Sequence, residues 1–123
     1  MIENTLNKII EKKRIRINEL KKSVSLNDLI ENIKNQKNFL NFKEKIIKNN
    51  ASAKFSLIAE IKKASPSSGI IIENYDPVEI ANLYNKNKAT CLSVLTEEEF
   101  FLGNFLHISK IKEKVNLPIL CKD

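Results

Sequence analysis

Hydrophobic and polar positions follow two different periods along the chain. From Asn4 to about Lys22, apolar residues recur at Leu6, Ile9, Ile10, Ile17 and Leu20, the spacing of a helix with a charged opposite face. Ser25, with Asp28 three residues on, reads as a capping-box variant that opens a second helix whose apolar stripe is Leu26, Leu29, Ile30 and Ile33. Phe39, Phe42, Ile46 and Ile47 predict a third, short helix before "NNASA".

Beyond residue 50 strands and helices alternate. "FSLIAEI" (55–61) predicts a strand. Asp76-Pro77 predicts an N-cap with proline at the first helical position, and Ile80, Leu83 and Tyr84 the buried face of that helix. "TCLSVL" predicts a second strand, residues 105–115 a second helix with Leu106, Ile111 and Val115 inward, and "LPILC" a third strand. The β-α-β-α-β order, with strand starts about 35 and then about 27 residues apart, fits the crossover units of a parallel sheet. The expected class is α/β, with residues 1–50 a helical extension and residues 51–123 the βαβαβ portion.

A parallel sheet covered by helices buries both faces of its strands, so charges within a strand are costly unless paired or placed where water or a ligand reaches them. Alternation sends Phe55, Leu57, Ala59 and Ile61 to one side of the first strand, and Ser56, Ile58, Glu60 and Lys62 to the other. The charges come last, at the C-terminal end, where α/β folds build their sites. Ser65-Pro66-Ser67-Ser68-Gly69 then breaks the strand, and Lys122 repeats the arrangement directly after "LPILC". Taken singly, each lysine also reads as a solvated strand end. Together, one carboxylate and two ammonium groups at one mouth suit an anionic substrate and acid/base work.

Composition narrows the class without changing that picture. A chain of 123 residues, 42% of them hydrophobic, is long enough for one domain with a modest core. The net charge of +6 belongs to residues 1–54, which hold thirteen Lys/Arg against six Asp/Glu, whereas residues 55–123 hold eight against nine. A basic segment can mark nucleic-acid or membrane contact, but these lysines are scattered among asparagines and isoleucines, so a solvated helix surface is expected. Cys91 and Cys121 form neither a disulfide framework nor a CxxC site, and are expected as buried free thiols in a reducing cytoplasm. His107, the only histidine, has no nearby ligand partner, which predicts a structural or surface role. No signal-peptide pattern or bilayer-spanning apolar run is present, so a soluble, cytoplasmic protein is expected.

"IAEIKKASPSSG", "YDPVEIANLY", "SVLTEEEFFLGN" and "LPILCKD" resemble, in order and spacing, the indole-3-glycerol phosphate synthase family of the tryptophan pathway. The resemblance runs from the N-terminal helices to the last residue. It implies a (β/α)8 TIM barrel preceded by a helical extension. It implies a carboxy-lyase that closes 1-(2-carboxyphenylamino)-1-deoxyribulose 5-phosphate into indole-3-glycerol phosphate with loss of carbon dioxide and water. By position in the motifs, Lys122 resembles the general acid, Lys62 the lysine on the substrate's anionic groups, and Glu60 the glutamate that orients the site. Ser65, Pro66 and Phe101 resemble pocket-lining residues, Phe101 against the substrate's aromatic ring. The resemblance implies no cofactor, no metal, and no nucleic-acid or membrane partner, and it leaves fusion or association with other tryptophan-pathway enzymes open.

Departures from the family pattern are also informative. Lys88-Ala89 stands where the family has a "GA" pair; if that glycine serves a left-handed helix cap, the lysine costs about 1 kcal/mol. Ser68 stands in place of a common lysine. A complete barrel needs about 250 residues, so the general-base glutamate and the glycine-rich phosphate loops are expected outside this span. The chain is therefore expected to be the N-terminal portion of the enzyme, poorly folded and inactive alone because its last strand is an open edge. The competing readings are another phosphate-handling barrel and a non-enzymatic remnant or binding module that uses the basic helices.

Overall fold

The computed structural model describes residues 2–123, which divide into two compact units at Phe39/Leu40. The first unit holds α1 (Ile2–Ser23) and α2 (Leu26–Lys34). Lys21 and Lys22 place positive charge on the carbonyl end of α1. The predicted capping box is present at α2. Ser25 Oγ accepts the Asp28 N–H at 3.1 Å, and Asp28 Oδ2 accepts the Ser25 N–H at 2.8 Å and the Ser25 hydroxyl at 2.6 Å. Those bonds, the hydroxyl's first, hold the Asp28 carboxyl below its ordinary range.

The second unit begins with α3 (Phe42–Ala51), which starts later and runs further than its apolar residues predict. Asn41 caps it by accepting the Glu44 N–H at 3.0 Å, while Phe39 stays outside and exposed. This helix packs on the sheet: the thiol of Cys91 donates to the Phe42 carbonyl at 4.0 Å.

After it come β1 (Ile58–Ile61), a hairpin of β2 (Ala64–Ser65) and β3 (Gly69–Ile70), then α4 (Pro77–Lys86), β4 (Cys91–Leu95), α5 (Phe105–Lys112) and β5 (Ile119–Lys122). The first strand is shorter than "FSLIAEI" because its opening residues find other partners. Asn49 Nδ2 donates to the Phe55 carbonyl, Ser56 Oγ donates to Asn50 Oδ1, and the Leu57 N–H goes to Thr90 Oγ1. Phe55 is fully exposed. Asp76 caps α4 through the N–H groups of Val78 and Glu79, with Pro77 at its first turn.

Strands β1, β4 and β5 form a parallel sheet in that order, Ile58–Ile61 beside Cys91–Val94 and Leu92–Leu95 beside Ile119–Lys122. Successive parallel strands side by side in chain order, each joined to the next through a helix, are the architecture of a partial (β/α)8 barrel. Ala59, Ile61, Leu92 and Val94 face the helix layer and form the core with Ala81, Ala89, Ile111, Val115 and Leu117.

Two inward assignments are corrected. Leu83 and Leu106 are 52% and 62% exposed. On α4 the buried arc is centred on Ala81, flanked by Val78, Ile80 and Tyr84, and Leu83 lies beyond its margin; on α5, Leu106 lies half a turn from Ile108 and Ile111. Cys121 is a third correction: Cys91, in the central strand β4, is buried, whereas Cys121, in the outer strand β5, is exposed. Burial pushes the Cys91 thiol up, partly offset by the Lys45 charge.

Helix α4 ends in a Schellman-type turn, with Lys88 N–H on the Asn85 carbonyl and Ala89 N–H on the Tyr84 carbonyl. Lys88 has φ 68°, the left-handed conformation that favours glycine. Lys88→Gly is therefore expected to stabilise the chain by about 0.5–1 kcal/mol, read as a higher denaturation midpoint at unchanged m-value. An unchanged or lower midpoint would contradict this account of the cap.

Candidate active site

The charged residues at the ends of β1 and β5 lie on one side of the sheet, with β4 between them. Glu60 pairs laterally with Ser93, Ser93 with Leu120, and Leu95 with Lys122. Lateral partners in a parallel ladder share a side, so Glu60, Ser93, Leu95 and Lys122, and Lys62 by continued alternation, lie on the side away from α4 and α5. Lys62 Nζ lies 2.8 Å from Glu60 Oε1, with each side chain about one-third exposed. The Tyr84 hydroxyl donates to the Glu60 carbonyl at 3.1 Å and ties this strand end to α4. Lys122 Nζ lies 3.3 Å from Asp123 Oδ2. One strand separates the two lysines, which sets their backbones about 10 Å apart.

The "SPSSG" break is a tight hairpin. The Ser68 N–H donates to the Ser65 carbonyl at 3.3 Å and to Ser65 Oγ at 3.2 Å, and Gly69 follows at φ 64°. A turn closed this way and followed by a left-handed glycine is a standard three-residue hairpin loop. Ser65 is half-buried in β2, and Pro66 is exposed at the tip. Phe101 sits half-buried in the loop between β4 and α5. Glu60 and Lys62 are thus in direct contact, while Ser65, Pro66, Phe101 and Lys122 occupy the strand ends and loops around them.

Three residues here escape a reading of the sequence. The Ser93 hydroxyl is buried level with Glu60 and has no hydrogen-bond partner among the described residues. Thr96 Oγ1 donates to the Lys122 carbonyl at 3.1 Å, clamping the ends of β4 and β5 together. Glu97, 8% exposed, turns its carboxylate back onto the loop that carries Phe101. The available signal was position: the first of three consecutive glutamates comes two residues after the apolar run "TCLSVL" ends.

Chemically, the sheet end offers a charge-balanced carboxylate–ammonium pair, a second ammonium across the sheet, and a buried hydroxyl between them. That set can bind an anion at one point and deliver a proton at another. Among the described residues, no three His, Cys, Asp or Glu side chains come together in a metal-holding group, and no helix is long and apolar enough to cross a membrane. A hollow of about 640 Å³ lined by Ile46, Asn50, Phe55 and Ile58 lies at the opposite end of β1, away from these charged groups.

His107 packs on Tyr75, ring centroids 5.6 Å apart, and both the Tyr75 hydroxyl and His107 Nδ1 are buried without a partner among the described residues. Burial pushes the Tyr75 hydroxyl up to about 12. Burial first, then the charges of Lys110 and Lys63, hold the His107 imidazole below its ordinary value.

A family model described as indole-3-glycerol phosphate synthase matches residues 6–123. Among curated relatives, the chain is similar to the indole-3-glycerol phosphate synthase of Acaryochloris marina, at 43% identity over 120 residues, covering 98% of this chain and 39% of the relative. It is similar to that of Alkaliphilus metalliredigens at 40% over 118 residues (96% and 44%), and to that of Trichodesmium erythraeum at 56% over 68 residues (55% and 23%). The chain spans about two-fifths of the length of most of these relatives.

The lowered imidazole fixes the sign of one pH dependence. The unfolded state binds the His107 proton near pH 6.5 and the folded state only at lower pH, so stability is whole above about 6.5 and falls as pH drops towards the folded value. His107→Asn should flatten that part of the stability curve between pH 6.5 and 5. A wild-type curve already flat there, or an unaltered slope in the variant, rules the assignment out.

Proposed function

The chain belongs to the indole-3-glycerol phosphate synthase family, and we propose that its polar sheet end is part of the site that closes 1-(2-carboxyphenylamino)-1-deoxyribulose 5-phosphate into indole-3-glycerol phosphate. The observation that carries this reading is the placement of Glu60, Lys62 and Lys122 on one side of the sheet, at its C-terminal end, with β4 between the two lysines.

The reaction needs an aromatic ring carbon to attack the carbonyl carbon of the ribulose chain. As that bond forms, the carbonyl oxygen gains charge and must take a proton; carbon dioxide then leaves the ring carbon, and water leaves to complete the indole. Lys122 is the proton donor to that oxygen, since its ammonium stands at the end of β5 beside Asp123 at 3.3 Å, a looser pairing than that of Lys62 with Glu60. Lys62 binds an anionic group of the substrate, and Glu60, 2.8 Å away, fixes its position and balances its charge while the site is empty. Ser65 and Pro66 form one rim, on a hairpin whose backbone is already hydrogen-bonded. Phe101 forms another, against the aromatic ring. The substrate is a small anion, and the groups assigned here require no cofactor.

The base that completes the reaction and the binding of the phosphate are assigned to portions of the family outside this span. Residues 1–123 alone are accordingly expected to give no turnover above trace level, whereas the same residues joined to the rest of the Acaryochloris marina relative should be active. Steady turnover by the 123-residue chain would overturn that division. In the joined protein, Lys122→Ala should lower kcat by about 10²-fold or more and change KM by less than about threefold, the signature of a group acting in the transition state. A near-normal kcat would remove Lys122 from the role of acid.

A further inference from the structure

Glu97 makes more contacts with backbone than any side chain assigned above. Its carboxylate accepts three consecutive amides, the Glu99 N–H on Oε1 at 3.0 Å and those of Phe100 and Phe101 on Oε2 at 2.7 and 3.1 Å. Its own carbonyl accepts the Gly103 N–H at 2.7 Å. The chain therefore wraps around this one residue. Gly103 seals the wrap, because a Cβ there would lie 2.3 Å from the Leu95 carbonyl oxygen, a clash with backbone at the end of β4. Leu102 adopts φ 52° to make the return.

A carboxylate that is 8% exposed is costly unless its oxygens are satisfied. Three N–H donors satisfy it, and in doing so they fix the backbone from which Phe101 projects. We propose that Glu97 is the positioning residue for Phe101, acting through those amides to hold the aromatic wall against the substrate's ring. The inference rests on the reading of Phe101 given above. Glu97 itself touches no reacting atom; it sets where Phe101 stands.

Two measurements test it. Amide exchange in the joined synthase reads the loop independently of any turnover. Glu97→Ala should speed exchange at Glu99, Phe100 and Phe101 by about tenfold or more while leaving the β4 amides unchanged. Glu97→Gln should keep protection at Phe100 and Phe101, whose amides share one oxygen, and lose it at Glu99. Unchanged exchange in Glu97→Ala overturns the proposal.

Kinetics in the joined synthase reads the consequence. Glu97→Ala and Phe101→Ala should each raise KM by about five- to tenfold with a smaller effect on kcat, and the double variant should be no worse than Phe101→Ala alone. Glu97→Gln should recover most of the wild-type KM, which bulk destabilisation of the loop would not produce. If Phe101→Ala raises KM and Glu97→Ala does not, or if their effects add, Glu97 does not act through Phe101. If Phe101→Ala is silent, the reading of Phe101 falls, and this inference falls with it.

Discussion

Everything at the polar end of the sheet depends on the burial of β4. Its five residues, Cys91 to Leu95, are all buried, with strands on both edges and covered faces. Its flanking amides reach both neighbours: Cys91 N–H goes to the Leu57 carbonyl, Leu92 N–H to Pro118 and Thr96 N–H to Lys122. A slip of one residue would turn Leu92 and Val94 to the charged side and drive Ser93 into the helix layer, so the register is strongly specified. Glu60 and Lys122 inherit their positions from that register. They belong to different strands, more than sixty residues apart in sequence, and only β4 relates them.

Where the ladder ends, backbone groups need other partners, and side chains supply them. Thr96 caps the end of β5, Ser65 closes the hairpin after β1, and Glu97 gathers the loop after β4. None of these is a charged group of the proposed chemistry. The division of labour leaves Glu60 and Lys62 about one-third exposed and bound mainly to each other, available to a ligand that a fully committed side chain would exclude.

The sequence made some of this legible and hid the rest for physical reasons. Strand alternation placed Glu60 and Lys62 opposite Ala59 and Ile61, and the caps at Ser25 and Asp76 were readable because each satisfies a local hydrogen-bonding need. The left-handed cap at Lys88 was readable because a missing glycine leaves a strained position behind. Leu83 and Leu106 misled because an apolar side chain near a buried arc looks the same whether or not the arc reaches it. The start of β1 was lost to side-chain competition from Asn49, Asn50 and Thr90, a non-local effect. Cys121 turned on the outer position of β5 in the sheet, which the local pattern does not carry. Glu97 was hidden in plain composition, since one acidic residue among three shows its burial only once the loop has folded over it.

The placement of glycine separates two kinds of constraint. The chain has only two: Gly69 opens β3 in the hairpin after β1, and Gly103 lies in the loop between β4 and α5. It also accepts left-handed backbone at Ala53, Lys88, Leu102 and Asp123 without glycine. Such a conformation costs about 1–2 kcal/mol per residue. At Gly103 the constraint is different in kind, because a side chain would overlap the backbone of Leu95 and Thr96. Strain can be absorbed by the rest of the fold, whereas that overlap would lift the loop off β4 and carry Phe101 with it.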